Sequence, residues 1–101
     1  MSDSFSDREK GYEAKWAHDE ELRFRVYSRR NRALGHWAAQ QMGMTAAEAD
    51  AYAAQIITAT DTAIFSRIRR DFDAHSVKMS DHMIRRQMED LLASAKAEVE
   101  Q

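Results

Sequence analysis

The chain has 101 residues, 44% apolar and 32% charged, with 15 basic and 17 acidic side chains for a net charge of −2. That describes one small domain with one core, and the charge balance excludes a global pull toward nucleic acid or anionic lipid. Proline and cysteine are absent and glycine occurs three times, which excludes disulfide and thiol chemistry and disfavours turn-rich β folds.

In chain order, residues 1 to 5 are mostly small and polar. Ser6 with Glu9 has capping-box spacing, so a helix could start there; Gly11 then costs it ~1 kcal/mol relative to alanine. Phe5, Tyr12 and Trp16 are the only aromatic groups before Leu22. Burying each is worth ~1.5–3 kcal/mol, against ~1–2 kcal/mol to order each backbone position. Residues 1–18 therefore read as a loosely held, flexible arm that folds fully only against a partner. The plainer alternative is that this stretch extends the first helix and packs on the rest of the chain. The start, Met1-Ser2-Asp3-Ser4-Phe5-Ser6-Asp7, lacks the basic and apolar runs of a signal peptide. No apolar run approaches the ~20 residues of a membrane span. The expectation is a cytoplasmic protein.

A long helix is expected from Asp19 to Met42, roughly 35 Å at ~1.5 Å per residue. Phe24, Tyr27, Leu34, Ala38 and Met42, with Trp37 beside them, fall on one face. Asp19–Arg23 and Glu21–Arg25 have the favourable acid-first spacing of four. Acids at the start and Arg29-Arg30 further on suit the helix dipole. Gly35 weakens the pattern, which close approach of another helix would justify. Gly43 is a natural stop.

Thr45 with Glu48 is a second capping box, and Ala49, Tyr52, Ala53, Ile56 and Ile57 form a helical stripe behind it. Thr58, Thr60 and Asp61 read as a break with a cap. A third helix turns Ile64, Phe65, Ile68 and Phe72 inward. Periodicity lapses from His75 to Met79. Ser80 then caps a fourth helix with the stripe Ile84, Met88, Leu91, Leu92, Ala95 and Val99. The expectation over residues 19–101 is an all-α, compact four-helix bundle with a long first helix.

No P-loop, GxGxxG, HExxH, GxSxG or CxxC occurs, and no Ser or Thr sits near a convincing His–acid pair, so catalysis is not expected. His75 and His82, with Asp71 one helical turn from His75, lack further ligands at a recurrent spacing, so no metal is expected. His18 beside Asp19 could titrate near neutrality and tune the arm. Arg67, Arg69 and Arg70 form one basic cluster and Arg85-Arg86 another. They read either as a solvated face paired with acids such as Asp71 and Asp73, or as an anion site for a nucleotide phosphate or an acidic partner. The second reading makes the chain a stand-alone domain binding a phosphate-bearing small molecule. Aromatics do not interleave with these arginines as a nucleic-acid face requires. Met83 and Met88 read as core filler.

Asp7-Arg8-Glu9, the run from Glu13 through Phe24, Arg29-Arg30-Asn31 and Leu34-Gly35-His36-Trp37-Ala38-Ala39 resemble the ζ-subunit family, the small inhibitors of F-type ATP synthases in alpha-proteobacteria. Ile84-Arg85-Arg86-Gln87-Met88 is similar to the family's last helix. The run from Ala17 to Leu22 is the most specific part, and residues 45 to 80 match loosely. The resemblance implies a four-helix bundle with no catalytic activity and no required cofactor, adenine nucleotide being the candidate regulatory ligand. It implies a monomer when free, held on the inner face of the plasma membrane through the synthase without inserting in the membrane. Its N-terminal segment would insert between the catalytic subunits and the central stalk of the ATPase head and block hydrolysis far more than synthesis. Carried over, that stretch is about Ser4 to Ala17, with Phe5, Arg8, Glu9, Tyr12, Glu13 and Trp16 as contacts. Gly11-Tyr12, Trp16 and Val26-Tyr27 depart from the family pattern.

Overall fold

Asp19 sets where the first helix begins. Its backbone is extended and its Oδ1 accepts a hydrogen bond from the Leu22 amide at 3.0 Å, so α1 runs Glu20–Gln41. The computed structural model describes residues 19–100. The expected arm, with Phe5, Arg8, Glu9, Tyr12, Glu13, Trp16 and His18, lies outside the described residues. At the other end of α1 the Met44 amide donates to Ala39 O (3.0 Å) and the Gly43 amide to Gln40 O (3.1 Å). Gly43 sits at φ 75°. This paired closure needs a left-handed residue, which glycine adopts without a Cβ penalty.

The remaining helices begin on hydroxyl caps. α2, Ala46–Ile56, has both halves of the capping box: the Glu48 amide donates to Thr45 Oγ1 and the Thr45 amide to Glu48 Oε1. α3, Asp61–Ala74, is capped by Thr60, and α4, Asp81–Val99, by Ser80. Each oxygen satisfies an amide that the first turn leaves without a partner. Between α3 and α4 the Val77 amide donates to Phe72 O at 2.8 Å and the Ser76 amide to Asp73 O at 3.3 Å. This repeats the closure of α1, but the left-handed residue, at φ 59°, is Ser76.

The described residues form an all-α four-helix bundle with α1 as its axis. α1 packs on α2 and α4 most extensively and also touches α3. Leu34, Ala38 and Ala39 meet Tyr52 and Ile56 of α2, Ile64, Ile68 and Phe72 of α3, and Ile84 and Met88 of α4 in one core. Trp37 tilts against Phe72 with ring centroids 5.6 Å apart. Gly35 lets α2 come close, since a Cβ there would lie 2.6 Å from Ala53 Cα.

Three expectations change. Phe24 is 63% exposed, not on the buried face. Phe24 lies on the same line of α1 as the buried Asn31 but about two turns nearer the helix start, where it lines an open groove and not the core. Met83 is half exposed, and only Met88 of the pair fills the core. The Asp19 carboxylate caps the helix rather than pairing with Arg23, and Glu21 forms no ion pair with Arg25.

Candidate functional site

Arg30 and Asn31 are adjacent on α1 and both are buried, the guanidinium residue to 1% exposure. Arg30 Nε donates to Asn31 Oδ1 at 2.9 Å, Nη1 donates to the Met88 carbonyl at 3.0 Å, and Nη2 pairs with Asp61. The guanidinium carbon lies 5.2 Å from the Tyr27 ring centre. Asn31 Nδ2 donates to the Ile57 carbonyl at 2.9 Å. One polar hub thus joins α1, the turn after α2, the first turn of α3 and the middle of α4. A buried cation is tolerable only when its donors are met this way. Asp61 is well placed, because the start of a helix favours negative charge.

Open grooves flank the hub. One, of about 730 Å³, lies between the first half of α1 and the turn into α3 and is lined by Glu20, Phe24, Tyr27, Asn31, Ile57 and Asp61 among others. The other, of about 510 Å³, lies between α3 and α4, with Phe65, Arg85, Met88 and Leu92 in its walls. The Arg85 guanidinium stacks over Phe65, 4.0 Å from the ring centre.

The other arginines of α3 and α4 are engaged by the chain itself. Arg67 donates from Nε to Asp71 Oδ2 at 3.1 Å, contacts Gln55 and lies over the Tyr52 ring. Arg70 reaches the second oxygen of Asp71 at 3.5 Å. Arg69 fastens the loop before α4, donating to Met79 O (2.7 Å) and Asp81 (2.8 Å), and holds Asp73 as well. Arg86 faces Asp90 at 3.7 Å. The structure brings Arg67 and Arg70 together around Asp71; Arg69, Arg85 and Arg86 each have different neighbours. Tyr52 Oη donates to Asp71 Oδ2 at 2.8 Å. Burial, reinforced by that carboxylate, pushes the Tyr52 phenol above its ordinary range. Burial would raise Asp71, but the hydrogen bonds from Tyr52 and Arg67 and the charges of Arg67 and Arg70 hold it below the usual value.

His75 turns Nδ1 to the Asp71 backbone carbonyl at 2.9 Å. Among the described residues no three His, Asp or Glu side chains are grouped to hold a metal ion, and no described helix is long and apolar enough to cross a membrane. Sequence reasoning missed the hub, although it left a trace. The α1 stripe skips from Tyr27 to Leu34, and Arg30 and Asn31 occupy the missing turn.

Fold and site define a small all-helical domain whose buried polar groups hold it together and whose outward features include open grooves and an exposed aromatic. The chain belongs to the family described as ATPase inhibitor subunit zeta, whose model matches residues 1–98. The match takes in every segment that carried the resemblance, and the loosely matched residues 45 to 80 as well. Membership supports an ATP synthase inhibitor role. A comparison with curated proteins finds no match.

Proposed function

We propose that the protein is a regulatory inhibitor of the F-type ATP synthase. Residues 1–18 act as the inhibitory arm, and the bundle anchors it outside the catalytic head. The observation that carries this reading is the span of the family match, which begins at residue 1 and continues to residue 98. The segment that precedes the bundle is therefore part of the family pattern. Inserted between the catalytic subunits and the central stalk, Phe5, Arg8, Glu9, Tyr12, Glu13 and Trp16 block the rotation that accompanies hydrolysis. The protein catalyses nothing itself. It is a free monomer in the cytoplasm and becomes peripheral to the membrane only through the synthase.

The alternative, a phosphate-bearing ligand held by Arg67, Arg69, Arg70, Arg85 and Arg86, has to compete with Asp71, Asp73, Asp81 and Asp90, which already engage four of the five. Adenine nucleotide, as a regulatory ligand, meets the same competition.

The test is ATP hydrolysis by a purified alpha-proteobacterial ATPase head with the intact chain and with residues 1–17 removed. Inhibition by the intact chain alone is the expected result. Full inhibition by the truncated chain, or none by the intact one, overturns the reading.

A further inference from the structure

The solvent face of α1 carries a row of basic groups that the fold leaves largely unused. Arg25, Arg29, Arg32 and His36 follow at spacings of four, three and four, which stacks them along one line of the helix. The row is about 16 Å long at ~1.5 Å per residue. It lies opposite Leu34 and Ala38, which face the core.

Charge is unevenly divided in this chain. α1 holds five arginines and two glutamates, a net +3, so the remaining residues carry −5 of the total −2. Arg30, Arg67, Arg69, Arg70 and Arg86 each reach a carboxylate. Arg25 and Arg32 pair with none among the described residues. Arg29 meets Glu98 with both side chains more than half exposed, where such a pair is weak. His36 lies 2.9 Å from an exposed Asp50.

We infer that this row is an electrostatic docking surface for an acidic protein surface. On the reading proposed above, that surface belongs to the ATPase head, beside the place where the arm enters. The row lies on the helix that follows residues 1–18 in the chain, so its attraction would both capture the head and aim those residues. Such an array acts mainly on encounter rate and orientation and weakens as salt rises. A bilayer fits less well, because a helix lying on lipid must bury an apolar face, and that face of α1 is inside the bundle. Single-stranded nucleic acid requires stacking aromatics, and the row contains none.

The test uses the full chain carrying Arg25→Glu with Arg32→Glu. Both sites are exposed, and unchanged circular dichroism verifies the fold. A control with the same change in net charge carries Lys78→Glu with Arg86→Glu. The association rate with the ATPase head is followed against ionic strength. The row variant should associate about tenfold more slowly or worse at low salt, with a flatter salt dependence and little change in dissociation, while the control tracks the parent. Equal effects of the two pairs, or no effect of either, overturn the inference. A second readout needs no ATPase: polyglutamate titrated into the labelled protein should shift the amide resonances of residues 25–36, and the row variant should lose those shifts. Tighter binding to phosphatidylglycerol vesicles than to polyglutamate overturns the protein assignment in favour of lipid. Polyglutamate binding through the row with no binding to the head at all refutes the function proposed above and assigns the surface to another acidic protein.

Discussion

Arg30 is a cation with almost no water around it, and its removal should cost far more than removal of its neighbour. Arg30→Met leaves Asn31 and the Met88 carbonyl without donors and strips Asp61 of its partner. Asp61 is half exposed and rehydrates, so the loss falls short of a fully buried pair, about 2–4 kcal/mol by denaturant unfolding. Arg29→Ala, at the exposed pair with Glu98, should cost less than about 1 kcal/mol. Gly35→Ala sets two effects against each other. Helix propensity gains ~1 kcal/mol, but a Cβ 2.6 Å from Ala53 Cα forces α1 and α2 apart at ~1–3 kcal/mol, so the melting temperature should fall. Asp71 gives a pH signature. Its folded pKa is depressed, so its contribution is whole above the ordinary carboxylate value of ~4 and fades as pH drops through the lower folded value. The melting-temperature gap between the parent and Tyr52→Phe should therefore narrow below about pH 4; a constant gap would show that the Asp71 charge does not matter.

At the scale of the helix, the ends decide. Thr45→Ala removes one side of the capping box and should cost about 1 kcal/mol, a fall of roughly 4–8 °C for a domain of this size. Ser76→Gly should act the other way, because a left-handed residue with a Cβ costs ~1–2 kcal/mol; thermal unfolding of the two variants checks both signs. These elements also show what was readable. Asp19 reads as a helical residue paired with Arg23 although it is the cap, whereas Thr45, Thr60 and Ser80 announce their helices because a cap acts on amides two or three residues away, so all of its information is local. Gly43 is readable for the same reason. Ser76 is not, since nothing in its neighbourhood marks a left-handed serine. Arg30 and Asn31 were hidden by the rule that polar residues point outward, and their partners stand 26 to 58 residues away. Phe24 keeps the periodic spacing of the stripe, and spacing does not report whether another element covers that turn of the helix. The ring partners of Arg67 and Arg85, Tyr52 and Phe65, each lie on the preceding helix, so a search for interleaved aromatics passes over them.

For the whole molecule, the first helix is where fold and proposed function meet. One side of α1 organises the core, the opposite side carries the basic row, and its start is where the arm joins. Deleting residues 1–17 should leave the cooperative unfolding of the bundle intact, because among the described residues the core, from Val26 to Ala95, lies wholly beyond that cut; loss of the unfolding transition would show that the arm is structural. The hub adds a constraint on how the protein is made. Arg30 closes on a carbonyl 58 residues further along, in the middle of α4. At a synthesis rate of ~5–20 residues per second, roughly 3–12 s separate the synthesis of Arg30 from that of its last acceptor. During that interval α1 shows water an apolar face and an unfilled polar site together. The nascent chain is thus most open to capture by chaperones over the same helix that later forms its axis.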